Sequence, residues 1–444
     1  MDREGLFEDL PVSGARVRRD VRGKPRLREP LRDQIELRAV DLESLISDDH
    51  PARLIWGYVE KLDLCGLENA IKSREGGPGH PTITPRLLLG LWLYATSRGV
   101  GSARLLARLC ESEHGYRWMC GGVSVNDHTL GDFRVAQGEL LDRLLAEHVA
   151  ALSQAGVIDL ATLAQDGIKV RAAAGASSFR RRATLEGHLK AAQELVQELK
   201  RDMHADPAAG SKRSQAARER VARERVERIQ AALQALGEVE AVRKKREKKN
   251  RNQTEKQKEP RASTSDPEAR IMKMADGGFR PAYNVQVVSA ADTQIVVAID
   301  PVNVGSDRGL IRPALEQVRE RLGRRPERHL ADGGFGSSQD IEWAHAEKVE
   351  IYCPPTKSKQ GRDPYAPRRD DGPGVLAWRK RMASEAGKAL YRKRSICECI
   401  HARWRNWNLI RLPVRGRVKV RAVMLWHALA NNILQGERLI KAAA

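Results

Sequence analysis

The strongest constraint on the fold is a series of β-branched, apolar runs that resumes after a long charged interruption. Residues 157–172, VIDLATLAQDGIKVRA, predict a strand, an Asp-Gly break and a second extended piece. Residues 283–300, YNVQVVSAADTQIVVAID, predict a hairpin, and 307–323 has the apolar spacing of a helix. A short strand at 328–334, a helix and a last strand follow. Strands that alternate with helices after a hairpin predict an α/β fold with a mixed sheet.

The interruption at 178–262 predicts an inserted helical hairpin. Apolar residues recur at alternating spacings of four and three over 185–203 and again over 222–236, which is a heptad seam. The seam indicates two antiparallel helices that pack on each other, or alternatively a pairing between two chains. In 243–261 ten Lys and Arg stand against three Glu, so we expect a disordered or DNA-tracking linker there. The alternative is that these charged side chains are simply solvated and have no role in DNA binding.

The N-terminal part of the chain has a helical pattern. Thr84 and Pro85 precede the apolar run RLLLGLWLYA and suit the N-cap and first position of a helix, which RGVGS at 98–102 ends. Short helices with tight glycine turns resemble a helix-turn-helix arrangement, and an ordinary helical bundle is the alternative. Near the C-terminus, 418–434 predicts an amphipathic helix that covers the sheet.

The charge of the chain favours a polyanionic partner. Lys and Arg number 78 against 58 acidic residues, which gives a net charge of +20. This surplus favours nucleic acid held through phosphate contacts, and a basic surface without that role is the alternative. The acidic segment MDREGLFEDL predicts no secretory signal, no apolar run has the length of a membrane span, and the six cysteines include no CxxC pair. A zinc site and a disulfide framework are therefore not expected.

Three acidic residues stand out by their context. Asp166 ends the first predicted strand in LAQDGIKVRA, and Asp332 ends a later one in HLADGGFG. Glu398 lies in 389–407, ALYRKRSICECIHARWRNW, which predicts a basic helix. Two aspartates at strand ends and a glutamate from a flanking helix suit phosphodiester cleavage with two Mg²⁺ ions, because this ion prefers hard oxygen ligands. Taken singly, each aspartate could merely start a turn.

The predicted basic helix presents further side chains beside Glu398. Tyr391, Arg394 and Arg405 fall at offsets of −7, −4 and +7 from it, near one face. The Tyr and Arg side chains could hold DNA phosphates near the metals, or Arg394 could simply pair with Glu398.

Two tryptophans flank Arg405 on the same stretch. Trp404 and Trp407 could stack on unpaired bases near the cut, or pack the helix into the core.

These features together resemble the DDE transposases of bacterial insertion sequences. The resemblance rests on the DG after the first strand, the ADGG at a later strand end and Tyr-x2-Arg-x3-Glu at 391–398. Three longer blocks are also similar to that group, namely DPEARIMKMADGGFRPAYNVQ (266–286), DHPARLIWGYVEKLD (49–63) and DHTLGDFR (127–134). The resemblance extends from about Asp49 to Asn432.

The resemblance implies an RNase H-like core in which Asp166, Asp332 and Glu398 are the catalytic, metal-binding triad. It implies two Mg²⁺ ions, for which Mn²⁺ can substitute. The side chains expected to contact DNA are Tyr391, Arg394, Arg405 and Lys169. Members of the group usually have Lys seven residues after the Glu, where this chain has Arg405, and the planar Arg fork contacts phosphate differently from Lys.

The domain organisation and partners follow from the same resemblance. The expected regions are a flexible basic arm (1–45), an N-terminal helical DNA-binding domain (46–155), an RNase H-like catalytic domain (156–177 and 263–440) and a helical-hairpin insertion with a basic linker (178–262). The expected activity is binding of the element's ends, strand cleavage and strand transfer. Partners are double-stranded DNA at transposon ends and target, and a second copy of the chain in a homodimer or higher assembly. We expect a cytoplasmic, nucleoid-associated protein.

Two other functions are compatible with parts of the sequence. A catalytically silent DNA-binding protein derived from a transposase would keep the same fold. A basic coiled-coil scaffold would explain 185–261 but not the β-rich segments on either side.

The pentapeptide ADGGF occurs twice, at 275–279 and 331–335. In an RNase H-like order three strands precede a helix and then the strand that bears the second acid. Only the later copy follows such a helix, so Asp332 is the predicted ligand and Asp276 is a turn residue that leads into the second strand, near the active site at most. Asp276 as a ligand is the alternative.

Overall fold

In the computed structural model of the protein, the described residues are 39, 41–74, 76, 80–205, 212–249, 259–356 and 361–443. The predicted arm at 1–45 therefore lies almost entirely outside the described residues. Its last residues, Glu43–Leu45, form one 3₁₀ turn, and Trp118 Nε1 donates a hydrogen bond to Glu43 Oε2 at 3.0 Å.

The N-terminal helices form a bundle. Their bounds are α1 (Pro51–Glu60), α2 (Cys65–Asn69), α3 (Pro85–Ser97), α4 (Ala103–Ser112), α5 (His114–Cys120), α6 (Asp127–Ala136) and α7 (Gly138–Gln154). Thr84 caps α3 as predicted, because its side chain accepts a hydrogen bond from Arg86 N and Pro85 takes the first helical position. Residues 87–96 of α3 are all buried, and a helix that is apolar on every side must be surrounded by other elements. The bundle interpretation therefore describes how these helices pack.

The strands make one large sheet and one small pair. They are β1 (Thr162–Arg171), β2 (Phe179–Arg180), β3 (Ala262–Ser263), β4 (Arg270–Lys273), β5 (Phe279–Ala290), β6 (Val296–Val302), β7 (Arg328–Ala331) and β8 (Glu350–Tyr352). β2 pairs with β3, while β6, β5, β1, β7 and β8 lie side by side and β4 extends the edge of β5. β1 and β6 are antiparallel to β5, whereas β7 is parallel to β1 and to β8. This is the order expected of an RNase H-like core, and the fold prediction is confirmed.

β1 corrects one detail of the prediction. We predicted a break at Asp-Gly, yet β1 is continuous, because pairing with β5 runs through Gly167–Gln286 to Arg171–Ala282. On its other edge the pairing with β7 stops at Gln165–Ala331. Asp166 is therefore a mid-strand residue that stands where the parallel pairing ends.

The remaining helices are α8 (Arg182–Ala205), α9 (Lys212–Lys249), α10 (Ile311–Leu322), α11 (Ser338–Ala346), α12 (Pro373–Ala383), α13 (Glu385–Arg392), α14 (Ile396–Asn406) and α15 (Arg417–Ala443). In the described part of the chain, no helix combines the length and apolar character that a membrane span requires.

The inserted hairpin forms within one chain. Leu185 and Ala192 of α8 are buried against Ile229 and Leu236 of α9, as the heptad seam predicts. The predicted linker at 243–261 starts later than expected, because α9 continues to Lys249. Residues 250–258 of that linker lie outside the described residues.

The predicted basic helix at 389–407 is two helices. A 3₁₀ turn at Lys393–Ser395 separates α13 from α14. The turn lets α14 direct its own apolar face, with Cys397, Ile400 and Trp404, into the core. Trp404 is fully buried, so core packing is its role and stacking on bases is excluded.

The C-terminal helix α15 is more central than the predicted amphipathic cover. Residues 422–433 are all buried, because α15 packs between the N-terminal helices and β6. Asn432 attaches it to the sheet, since its Oδ1 accepts from Val296 N at 2.8 Å and its Nδ2 donates to Val296 O at 2.7 Å.

Candidate active site

The parallel pairing of β1 with β7 brings Asp166 and Asp332 together. Gln165 lies opposite Ala331, so the next residue on each chain segment is an aspartate. Asp332 comes directly after β7 and accepts a hydrogen bond from Gly333 N at 2.7 Å through Oδ1. Both aspartates line one cavity of about 620 Å³.

The pKa of Asp166 is raised above its usual value. Burial raises its pKa, the Arg394 guanidinium opposes that rise, and the nearby carboxylates of Asp332 and Asp307 add to it. Its Oδ1 accepts a hydrogen bond from Gly167 N at 2.8 Å. A half-buried carboxylate with acidic neighbours is a group that a cation stabilises.

Gly167 follows Asp166 because a side chain does not fit there. A Cβ at this position would lie 2.6 Å from Asp307 Oδ1, 2.7 Å from Asn284 Oδ1 and 2.7 Å from Gln286 Nε2. The Asp-Gly pair is thus explained by the close approach of three polar side chains to the strand, and not by a turn.

Arg394 links Glu398 to Asp166. Arg394 Nη1 donates to Asp166 Oδ2 at 3.1 Å, and Nη2 donates to Glu398 Oε1 at 2.9 Å. The Tyr391 ring centroid is 6.0 Å from Arg394 Cζ, and the Tyr391 hydroxyl is 3.5 Å from Asp332 Oδ1. These contacts group the five residues around Asp166 in the middle of β1, although Glu398 is exposed and is not among the residues that line the cavity.

Basic side chains surround the same cavity. Lys169 of β1 and Arg405 of α14, both predicted to contact DNA, lie in its lining. Further positive charge in the lining comes from Arg171, Lys273 and Arg280.

Asp276 lies at the rim of this cavity in a turn. Met274 N donates to Gly278 O at 2.8 Å across that turn, and Arg280 Nη1 lies 2.8 Å and 2.6 Å from the two oxygens of Asp276. The position agrees with the expectation of a turn residue near the site.

His401 is a residue of this site that sequence reasoning missed. Its Nδ1 is 3.9 Å from Asp166 Oδ2, and within the described residues its buried Nε2 has no hydrogen-bond partner. Burial is the main reason that its pKa is lowered to about 4, so the ring is neutral near pH 7. Its spacing of three from Glu398 on a helix was the signal that could have identified it.

The carboxylate oxygens of Asp166, Asp332 and Glu398 are suitable ligands for a divalent cation. In the described part of the chain, no three His, Cys, Asp or Glu side chains are grouped closely enough to hold a metal ion. The reason is visible in the geometry, because the Arg394 guanidinium is the cation that Asp166 and Glu398 share. Asp166 and Asp332 offer carboxylate oxygens to one cavity, which suits Mg²⁺ because it binds one or two carboxylates and keeps several waters.

Comparisons with protein families match two parts of the chain to transposase families. Residues 252–433 match the family described as Transposase DDE domain, and residues 40–136 match the one described as Transposase domain (DUF772). The first match contains Asp332 and Glu398, and it begins after Asp166. No curated protein and no solved structure matches the chain.

Proposed function

On the premise that its two family domains make this chain a DDE transposase, we propose that it binds the ends of an insertion sequence, cleaves DNA strands there and joins them to target DNA. The observation that carries the proposal is the convergence of Asp166 and Asp332, on adjacent strands, in one cavity lined by basic side chains. Glu398 completes the acidic set through its contact with Arg394.

Asp166, Asp332 and Glu398 are the side chains that would hold divalent cations. Bound Mg²⁺, or Mn²⁺ in its place, would supply Lewis-acid stabilisation of the attacking and leaving oxygens. Asp166 is fixed by β1 and by its Gly167 N–H contact, and Asp332 is fixed by its Gly333 N–H contact. Hydrogen bonds of this kind orient carboxylate ligands.

The basic and aromatic side chains orient the DNA strand. Tyr391 and Arg394 lie beside the aspartates and can donate to the phosphate that is cut. Lys169 and Arg405 line the cavity farther along and can contact flanking phosphates. In the absence of DNA, Arg394 neutralises Asp166 and Glu398, so that like charges do not face each other unpaired.

The other parts of the chain serve assembly on DNA. The N-terminal helices at 46–155 would recognise the transposon ends, and two or more copies of the chain would bring paired ends together. The α8–α9 hairpin closes on itself within one chain, so its outer surface is the part available to another molecule.

The test is strand cleavage by wild type and Asp332→Asn on the element's terminal repeats with Mg²⁺. Loss of a direct ligand should slow cleavage at least about a hundredfold, more than the loss of an outer hydrogen-bond partner. Asp276→Asn removes the same charge from the rim of the same cavity and should cut like wild type. Equal cutting by wild type and Asp332→Asn would remove Asp332 from the mechanism.

One observation favours the alternative of a silent DNA-binding protein. Arg394 already satisfies Asp166 and Glu398, so the acidic set does not need a metal to be stable. Binding of the terminal repeats without nicking under any divalent ion would support that alternative.

A further inference from the structure

A chain of buried polar side chains crosses the sheet beside the candidate active site. His329 Nε2 is 2.9 Å from Gln165 Oε1, and Gln165 Nε2 donates to Gln286 Oε1 at 2.8 Å. Gln286 Nε2 and Asn284 Nδ2 then both donate to Asp307 Oδ1, at 3.0 Å and 2.7 Å. Three adjacent strands thus fix the position of one carboxylate on the loop that follows β6.

Asp307 belongs to the same cavity as Asp166 and Asp332. It lines that cavity, and its carboxylate contributes to the raised pKa of Asp166. Asp307 can lie this close to β1 only because residue 167 is Gly, since a Cβ there would be 2.6 Å from Asp307 Oδ1. Asp307 is the last residue of a plain loop sequence, NVGSD, and no motif around it marks it as a ligand.

An independent observation at the same place is an unsatisfied oxygen. Asn284 is fully buried, and among the described residues its Oδ1 has no hydrogen-bond partner. Its orientation is set by its Nδ2, which donates to Val304 O at 3.2 Å as well as to Asp307. Its Oδ1 therefore points toward the space above Gly167, 2.7 Å from where a Cβ would lie. A buried oxygen without a donor is costly unless something binds it.

We propose that Asp307 and the side-chain oxygen of Asn284 form a further part of the cation site, next to Asp166. Carboxylate and amide oxygens are ligands that Mg²⁺ and Mn²⁺ accept. The amide donors of Gln286 and Asn284 act on Asp307 as outer partners that orient a ligand. This inference rests on the proposed function, because it assumes that the cavity takes divalent cations.

The test is a titration of the full chain with Mn²⁺ in the absence of DNA. The electron paramagnetic resonance signal of the free ion measures how much Mn²⁺ remains unbound. Asp307→Asn should weaken Mn²⁺ binding about tenfold or more, as expected when a ligand or its immediate partner is lost. Asp276→Asn is the matched control, since it removes one carboxylate from the same cavity, and its affinity should stay within about twofold of wild type.

Two outcomes separate the inference from the proposed function. If Asp332→Asn weakens Mn²⁺ binding and Asp307→Asn does not, the role of Asp307 is wrong while the metal-dependent function stands. If neither substitution changes Mn²⁺ binding, the cavity is not the cation site and both proposals are overturned. The shift in melting temperature on adding Mn²⁺ is measured against each variant's own metal-free protein, so a destabilised variant still gives an answer.

Discussion

At the scale of single residues, the arrangement of the acidic side chains depends on the contacts of the Arg394 guanidinium. Arg394 was expected to contact DNA phosphate or to pair with Glu398. The structure shows that it bonds Glu398 and Asp166 at once, with its side chain 15% exposed. Arg394 can therefore exchange the exposed Glu398 for a phosphate while it stays paired with the largely buried Asp166, so that no buried charge is left unpaired.

Arg394→Gln should lower the free energy of unfolding by about 1–3 kcal/mol, because the largely buried Asp166 loses its counter-charge. Adding Mg²⁺ should restore part of this loss, since a divalent cation can take the place of the guanidinium. Thermal unfolding with and without Mg²⁺ measures both effects. Arg143→Gln is the control, because its pair with Glu147 is exposed and should matter by less than about 0.5 kcal/mol. Equal melting of the two variants would contradict the bridging role.

At the scale of secondary-structure elements, the neighbouring elements determine whether a local sequence pattern forms the structure that it predicts. The Asp-Gly of β1 has the sequence of a turn, yet β5 holds it extended along its whole length. α15 likewise has an apolar surface that a single helix could not keep in water, and it is stable because helices and β6 enclose it. Asn431 and Asn432 supply the polar contacts of that enclosure, since they bond to Gln294 O and to Val296.

Asn432→Ala should destabilise the protein by about 2–4 kcal/mol, because Val296 N and Val296 O would both lose a buried partner. Chemical denaturation gives the free energy, and hydrogen exchange should show faster opening of β6 before other strands. Arg438→Ala, at an exposed position of the same helix, should change stability by no more than about 0.5 kcal/mol. If hydrogen exchange became faster to the same extent in every strand, with no preference for β6, this attachment of α15 would be wrong.

At the scale of the whole molecule, the large sheet and the N-terminal helices share a core. One hydrophobic cluster includes Leu89 and Trp92 of α3, Tyr283 of β5 and Trp426 of α15. The N-terminal helices are therefore packed on the same elements that carry the candidate active site. That packing restricts movement of these helices relative to the cavity.

DNA binding should weaken steeply with salt, because the net charge of +20 and the basic cavity lining point to phosphate contacts. Lys169→Ala and Arg405→Ala should each lower the slope of log affinity against log salt by about one. Fluorescence anisotropy of labelled duplex across a salt series measures the slope. Lys441→Ala, whose ammonium pairs with Glu437 on α15, should leave the slope unchanged. Unchanged slopes for Lys169→Ala and Arg405→Ala would place the DNA elsewhere.

The sequence by itself determined the type and order of the main strands and helices of the sheet, and the identity of the three acids proposed for catalysis. Local periodicity is enough to predict β5, β6, α10 and the α8–α9 hairpin, because apolar spacing reflects which face of an element is buried. The Tyr, Arg and Glu of 391–398 were recognisable as a motif even though a 3₁₀ turn divides their helix.

Only the tertiary structure decided which side chains meet. Asn284, with its partner Asp307, lies beside Asp166 because β1 and β5 pair in one register, and His401 lies there because α14 packs against β1. No local signal in the sequence records either arrangement. The same applies to Gly167, whose missing side chain has a purpose only once Asp307 lies against it. Pairing between strands is a long-range property of the chain, whereas helix and strand periodicity is a local one.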